Sequence, residues 1–282
     1  MTVREALMMG RKKLTEAGAE NPVLDSELIL GHVLAKDRLK LLTHDEENLT
    51  QQQIECYDKL LVQRCQSVPV AYIIGRKEFY GLNFYIKPGV LIPRPETEFV
   101  VEEALNVIRP IENPVIADLC FGSGAISVAI AVNHSRAKVY ASDLSDIAWE
   151  VAKTNIKAHR VEDRVLLFRG DLWSPFECGN IGEFDVVVSN PPYIPTGELF
   201  TLPKDVKNEP QIALNGGPDG LEFYRRIVSK APEFLKPCGR IILEIGWNQA
   251  DNVKTLLKES EFGDIKVIKD YGSFDRVISG VI

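Results

Sequence analysis

The 282-residue sequence predicts a small N-terminal all-α domain followed by an α/β domain with a mostly parallel sheet. Three observations lead to this fold class. The first 75 residues contain only helical patterns, whereas apolar strand-like runs alternate with helical stretches from residue 95 onward. The last two strand-like runs follow each other without an intervening helix. Such alternation is typical of a parallel sheet covered on both faces, and we expect the last strand alone to be antiparallel.

Helix-capping signals divide the segment 1–75. Thr2 with Glu5, and Thr50 with Gln53, match the pattern in which a hydroxyl caps a helix and the side chain three residues later returns the hydrogen bond. An Asn-Pro pair opens another helix at "VLDSELILGHVLA". The segment carries 9 Lys and Arg against 11 Asp and Glu. It therefore lacks the basic face that is typical of a nucleic-acid-binding arm.

The residues 76–94 are aromatic and rich in glycine and proline, and we interpret them as a hairpin and linker. The α/β domain then spans 95–282. Its predicted strands are "PVIADLC", "AKVYASD", "RVLLFRGD", "FDVVVSN", "GRIILEIG", "DIKVIKD" and "SFDRVISGVI". The helical stretches between them are amphipathic or apolar, as the crossovers of a parallel sheet require.

The composition excludes several classes of protein. The formal charge of −7 and pI near 5.3 argue against a protein that coats nucleic acid, and we expect no direct nucleic-acid target. The five cysteines contain no CxxC pair, which favours a reduced, cytoplasmic protein without a structural metal. No apolar run approaches the length of a membrane span, so we expect no membrane partner.

A glycine-rich turn follows the first predicted strand of the α/β domain. Its sequence, "ADLCFGSGA", lets the backbone turn tightly and approach a ligand at the N-terminus of the next helix. Open α/β sheets bind ligands at this edge. The candidate cofactor-binding residues here are Asp118, Cys120, Phe121, Gly122, Ser123 and Gly124. Taken alone, the turn is equally an ordinary connection between a strand and a helix.

Two further acids end the next strands. Asp143 follows Gly124 by 19 residues, the spacing at which a carboxylate accepts the hydroxyls of a ribose. Asp143 could instead cap the following helix, although Ser145 competes for that position. Asp171 ends the third strand, where it could reach an adenine amino group.

The turn lacks the third glycine of the dinucleotide-binding fingerprint, and this bears on which cofactor we expect. Ser127 stands where G-x-G-x-x-G requires glycine, so a nucleoside without a pyrophosphate fits better. S-adenosyl-L-methionine is such a cofactor. Leu172 or Trp173 would pack against its adenine, although Trp173 could equally belong to the core.

The fourth strand ends in "SNPPYIP". Asn190 and the backbone carbonyl of Pro191 could accept the N–H bonds of a planar amide or amine, and Pro192 and Tyr193 complete a flat binding surface. Oriented acceptors favour methyl transfer to such a nitrogen, because they stabilise the positive charge that develops on it. The alternative is a proline-rich turn after a buried strand, with Tyr193 in the core.

In order along the chain, "AYIIG", "EFYGL", "IPRPETE", "DLCFGSG", "NPPYIP" and "EPQIALNGGPDGLEFY" resemble the peptide chain release factor N5-glutamine methyltransferase family. The resemblance covers nearly the whole chain. It implies a Rossmann-like class I methyltransferase domain that uses S-adenosyl-L-methionine without a metal, and a helical domain that docks the substrate. The implied substrate is the Gly-Gly-Gln glutamine of release factors. Cys120 and Phe121 stand where that family more often has Gly-Thr.

Three alternatives stay open on the sequence alone. A ribosomal-protein glutamine methyltransferase would differ mainly in its N-terminal domain. A nucleic-acid adenine-N6 methyltransferase would share the "NPPY" chemistry but should carry a basic target domain. A non-catalytic cofactor-binding adaptor would not need an intact "NPPY". The segment 92–98, "IPRPETE", either begins a helix or closes over the cofactor.

Overall fold

A seven-stranded sheet runs through the larger of two units in this computed structural model, which describes residues 1–179 and 181–282. The smaller unit comprises Met1–Arg76 together with Pro203–Asn208, and the larger comprises Lys77–Leu202 and Glu209–Ile282. Of the segment 76–94 that we interpreted as a hairpin and linker, residues 77–94 fall in the larger unit and Arg76 in the smaller.

The smaller unit is helical, as the capping signals predict. Its helices are α1 (Val3–Glu16), α2 (Pro22–Leu34), α3 (Arg38–Thr43), α4 (Gln51–Cys65) and α5 (Val70–Ile74). Both predicted capping boxes are present, at the starts of α1 and α4. Gly10 lets α1 pack closely, because a Cβ there would lie 2.0 Å from the buried hydroxyl of Tyr57. The apolar faces of α1, α2 and α4 meet in one core.

The short segment Pro203–Asn208 was not predicted to belong to this unit. Arg64, almost fully buried, pairs with Asp25 at 2.7 Å and lies 3.8 Å from Asp205. Asn208 Nδ2 donates to the carbonyl of Ser67 at 3.0 Å. The buried arginine would cost free energy without its two carboxylates, so the segment helps to satisfy the helical core.

The sheet of the larger unit is mostly parallel. Its strands are β3 (Val115–Leu119), β4 (Lys138–Asp143), β5 (Val165–Arg169), β6 (Phe184–Ser189), β7 (Leu235–Glu244), β8 (Gly263–Lys269) and β9 (Asp275–Val281), after a separate hairpin of β1 (Arg76–Phe79) and β2 (Leu82–Tyr85). The order across the sheet is β5-β4-β3-β6-β7-β9-β8. Only β9 runs opposite to the other six strands, because it pairs antiparallel with both β7 and β8, and this confirms the predicted fold class.

Helices cover both faces of the sheet. They are α6 (Glu98–Ile108), α7 (Ala125–Asn133), α8 (Asp146–Ala158), α9 (Ser174–Gly179), α10 (Glu222–Phe234) and α11 (Ala250–Glu259). The central strands are buried on both sides, which explains their continuous apolar sequences. Among the described residues, no helix has the length and apolar character needed to cross a membrane.

Candidate active site

A cleft opens at the carboxyl edge of the sheet, where β3 and β6 pair but their following loops diverge. The chain runs outward from β3 through β4 to β5 and then returns to add β6 on the other side. Such a reversal of strand order is where open α/β sheets bind ligands. Loops after β3, β4, β5 and β6 all contribute to the wall.

The glycine-rich turn after β3 contains three residues with a left-handed backbone conformation. Cys120, Gly122 and Gly124 have positive φ angles of 64°, 54° and 77°. Only glycine adopts this region without cost, so Cys120 is an exception among the three. The φ of 77° favours glycine at Gly124, before α7, and a Cβ there would also make a tight contact of 3.1 Å with the Cβ of Ala152.

Asn155, buried in α8, fixes this turn from behind. Its Nδ2 donates to the Ser123 carbonyl at 2.9 Å and to the Tyr85 carbonyl at 3.1 Å. Its Oδ1 accepts the Tyr85 N–H at 2.7 Å. One amide therefore holds the turn and β2 together. Sequence reasoning missed Asn155, because nothing in a helical pattern distinguishes a buried asparagine from a solvated one.

Asp143 lies in the wall of the cleft, as predicted, but it does not cap α8. Its Oδ2 accepts the N–H of Gly122 at 2.9 Å and its Oδ1 accepts that of Ser145 at 2.8 Å. Ser145 is the cap of α8 through the N–H of Ala148. Burial raises the pKa of Asp143, and the backbone donors oppose this shift. The carboxylate thus braces the glycine-rich turn.

The acid after β5 is more exposed. Asp171 forms an ion pair with Arg226 of α10 at 2.5 Å, and both side chains reach the cleft. Leu172 contributes apolar surface to the same wall. Trp173 does not: its ring stacks on Phe234 with centroids 4.5 Å apart, and it belongs to the core. Of the two residues that we expected against an adenine, only Leu172 lines the cleft.

Asp118 lies beneath the cleft rather than in its wall. It is fully buried, and its Oδ2 accepts the hydroxyl hydrogen of Ser127 at 2.5 Å. Its Oδ1 has no hydrogen-bond partner among the described residues. Burial raises the pKa of Asp118 to about 7, and the nearby Asp143 adds to the shift. Asp118, predicted as a cofactor-binding residue, is therefore not among the residues that line the cleft.

The "NPPY" residues lie at the end of β6. Asn190 and Pro192 line the cleft, and Asn190 Nδ2 donates to Thr97 Oγ1 at 3.1 Å. Among the described residues, no group donates a hydrogen bond to Asn190 Oδ1 or to the Pro191 carbonyl. Both predicted acceptors therefore accept no hydrogen bond from the part of the chain that the structure describes.

Tyr193 is held on two sides. Its hydroxyl donates to Glu244 Oε1 at 3.3 Å, and its carbonyl accepts from Gln249 Nε2 at 2.9 Å. Gly216 passes so close that a Cβ there would lie 2.7 Å from the Tyr193 Cα. The stretch "LNGGPDGL" therefore carries glycine where the backbone of the "NPPY" turn approaches it.

Comparison with known proteins agrees with this architecture. Residues 5–75 match the family model of the PrmC N-terminal domain, and residues 98–201 match that of the methyltransferase small domain. The release factor glutamine methyltransferase of Clostridium acetobutylicum is 41% identical over 283 residues, covering 100% of this chain and 99% of that protein. That of Clostridium botulinum is 40% identical over 279 residues, covering 99% and 98%.

The chain belongs to the release factor glutamine methyltransferase family. This confirms the resemblance inferred from the motifs. A crystal structure of a methyltransferase from Pyrococcus furiosus covers 73% of this chain and 91% of its own, with a TM-score of 0.53 and 21% identity. That likeness supports the fold alone.

The segment 92–98 of this family member both begins a helix and lines the cleft. Pro95–Thr97 forms a short 3₁₀ turn before α6, and Pro93 and Thr97 face the cleft. Glu98 accepts the N–H of Tyr80 at 2.8 Å, which ties the hairpin to α6. The segment therefore begins a helix, as one of the two accounts predicts, whereas its closing over a cofactor stays a prediction.

Glu209 of this family member anchors the same segment and was not predicted. It is 4% exposed, accepts the N–H of Ile92 at 3.0 Å and pairs with Arg94. Glu209 is the first residue of "EPQIALNGG", one of the stretches that resemble the family, so the family motif could have indicated that it has a role. No local pattern, however, connects it to a segment more than a hundred residues earlier.

Asp143→Ala is expected to weaken cofactor binding by about 1.5–3 kcal/mol, because it removes a charged acceptor from the cleft wall. Isothermal titration calorimetry with S-adenosyl-L-methionine measures the affinity. Asp146→Ala is the matched control, since that carboxylate lies exposed on α8 in an ion pair with Arg169. Equal affinities for the wild-type protein and Asp143→Ala would refute the assignment.

Proposed function

We propose that the chain transfers a methyl group from S-adenosyl-L-methionine to the side-chain amide nitrogen of the glutamine in the Gly-Gly-Gln motif of peptide chain release factors. The observation that carries this proposal is that Asn190 lines a cleft with acidic and apolar walls, and that neither Asn190 Oδ1 nor the adjacent Pro191 carbonyl accepts a hydrogen bond among the described residues. Full-length similarity to relatives that bear this function in their names supports the substrate.

The residues of the cleft fit an adenosine-bearing methyl donor. Asp143 offers carboxylate oxygens suited to ribose hydroxyls, and Asp171 lies at the end of the adjacent strand. Leu144 and Leu172 offer apolar surface suited to an adenine ring. The sulfonium of S-adenosyl-L-methionine would supply an activated methyl group. Its S–CH₃ bond would break as the new C–N bond forms, S-adenosyl-L-homocysteine would leave, and water would take the proton that the alkylated nitrogen loses. The acidic wall suits that positive charge.

The "NPPY" residues would prepare the glutamine for attack. An amide nitrogen is a poor nucleophile because its lone pair is delocalised into the carbonyl. Asn190 Oδ1 and the Pro191 carbonyl would each accept one N–H bond, which orients the nitrogen and stabilises the positive charge that develops on it. Tyr193, fixed by Glu244 and Gln249, would support the amide plane.

Mass spectrometry of a release factor after incubation with methyl-labelled S-adenosyl-L-methionine tests the proposal. We expect one added methyl group on the Gly-Gly-Gln peptide. A release factor with alanine in place of that glutamine is the matched control and should stay unmodified. Labelling of ribosomal protein in its place would support the alternative substrate class.

We further propose that the helical unit docks the release factor in the cytoplasm. Leu39 and Leu42 are 71% and 52% exposed on α3, one turn apart on one face. Exposed large apolar residues of this kind are candidates for contact with a protein partner.

The double variant Leu39→Ser/Leu42→Ser is expected to raise KM for intact release factor on the order of 10-fold, because two apolar contacts are lost. Methylation of a short Gly-Gly-Gln peptide is the control and should be unchanged. An unaltered KM for the intact factor would place docking elsewhere. Point variants are preferable to deletion of 1–75, which would also strip Pro203–Asn208 of its partners.

Asn190→Ala is expected to lower turnover on the order of 100-fold, because one oriented acceptor is lost from the transition state. Asn190→Asp keeps an acceptor of the same shape and should be less impaired. Rates on release factor, normalised to folded protein, measure both. If Asn190 only shapes the turn, alanine will lower the melting temperature but spare the rate of the folded fraction.

A further inference from the structure

A buried glutamate joins two separate segments of the chain at the cleft. Glu209 is 4% exposed. Its Oε2 accepts the backbone N–H of Ile92 at 3.0 Å, and its Oε1 accepts from the guanidinium of Arg94. Glutamate is almost never buried to this extent without partners, because an ionised carboxyl loses its hydration. We call this arrangement of Glu209, Ile92 and Arg94 the clasp.

The segment that supplies the two donors has little regular structure of its own. Residues 91–94 lie outside the helices and strands. Pro93 and Pro95 have no backbone N–H, and each keeps the residue before it in an extended conformation. Arg94 accordingly has φ −97° and ψ 146°. A strand ladder therefore cannot fix this segment, and contacts from elsewhere in the chain help to hold it.

The stretch that carries Glu209 is better supported. It continues into a 3₁₀ turn, Gln211–Ala213. The Leu214 carbonyl then accepts the N–H of Ile194 at 2.9 Å. Ile194 directly follows "NPPY", so this stretch is tied to the backbone at the end of β6. The clasp connects the irregular segment 91–94 to this supported stretch.

Both sides of the clasp line the same cleft. Leu91 and Pro93 are the neighbours of Ile92, and both contribute to the wall. Pro210, which follows Glu209, contributes to it as well, together with Ile212. One buried carboxylate therefore sets the spacing between two apolar parts of the cleft wall.

We propose that Glu209 is a positioning residue that holds these two parts of the wall together and so keeps the cleft in the shape that S-adenosyl-L-methionine requires. The inference rests on the proposed function, because it takes this methyl donor as the ligand of the cleft. Without the clasp, segment 91–94 would sample other positions. Binding of the donor would then have to order the segment, and this ordering costs free energy.

Isothermal titration calorimetry with S-adenosyl-L-methionine tests the clasp. Glu209→Ala removes both acceptor oxygens and should weaken binding on the order of 10-fold, because the lost pre-organisation is restored only on binding. Glu209→Gln keeps an acceptor for the Ile92 N–H but loses the charge opposite Arg94. We expect its affinity to lie between those of Glu209→Ala and the wild-type protein.

Glu27→Gln is the matched control. Glu27 lies in α2 of the helical unit, is 3% exposed and pairs with two arginines, Arg11 and Arg38. The substitution removes a buried, paired carboxylate of the same kind, so it should lower the melting temperature. The affinity for S-adenosyl-L-methionine should stay at the wild-type value. The control thus separates a loss of stability from a loss of cleft shape.

A double-mutant cycle tests whether Glu209 acts through Arg94. Arg94→Gln leaves the buried carboxylate with the Ile92 N–H alone and should also weaken binding. In that background, Glu209→Gln should weaken binding no further, because a neutral amide needs no cationic partner. Additive losses from the two substitutions would show that the side chains act separately and would contradict the proposal.

Hydrogen exchange of the Ile92 backbone amide reports on the clasp without turnover or ligand. Exchange should be faster in Glu209→Ala than in the wild-type protein, since the amide loses its acceptor. The N–H of Val115 is the matched control, because it donates to the Asp185 carboxylate at 2.8 Å. Its exchange should be the same in both proteins.

Two outcomes would overturn the inference. One is a folded Glu209→Ala variant that binds S-adenosyl-L-methionine with the wild-type affinity, and the other is unchanged exchange of the Ile92 amide in that variant. A wild-type protein that leaves release factors unmethylated would instead refute the proposed function. Calorimetry with the methyl donor would still report whether Glu209 shapes the cleft.

Discussion

The parallel pairing of β3 with β6 is the constraint on which the site depends. It sets Leu119 opposite Ser189, and the Ser189 hydroxyl donates to the Leu119 carbonyl at 2.6 Å. The two functional loops begin directly beyond this pair. A slip of one residue would turn every side chain on β6 to the other face and would separate "NPPY" from the glycine-rich turn. The apolar core on both faces makes such a slip costly.

Buried polar side chains hold the loops beyond these strand ends in place and so fix the shape of the cleft. The Ser142 hydroxyl donates to the Leu172 carbonyl at 2.7 Å, just as Asn155 and Asp143 hold the turn after β3. Each satisfies a backbone group that the end of a strand would otherwise leave unpaired. The cleft is therefore pre-organised by short side chains with little conformational entropy to lose.

Local patterns predicted the elements and the loops that carry the site, because hydrophobic period and turn chemistry act over a few residues. They predicted the ends of β3, β4 and β6 and the antiparallel β9. They could not identify Glu209 or Glu244, whose partners lie far away in sequence. Trp173 shows the same limit, since an aromatic after a strand is equally suited to a ligand or to a core. The return of Pro203–Asn208 to the helical unit had no local signal either.

Burying the carboxyl groups of Asp118 and Glu244 costs free energy when these groups are ionised. Asp118 and Glu244 have pKa values of about 7 in the folded chain, above their ordinary values of 3.8 and 4.5. When the pH lies below their ordinary pKa values, the protonated forms of both acids stabilise the folded state. This contribution to stability is lost as the pH rises through about 7. Burial therefore opposes the ionisation of Asp118 and of Glu244, which contacts the Tyr193 hydroxyl. A nearby cation would favour their ionised forms, so acids whose burial costs stability would strengthen the binding of a positively charged donor.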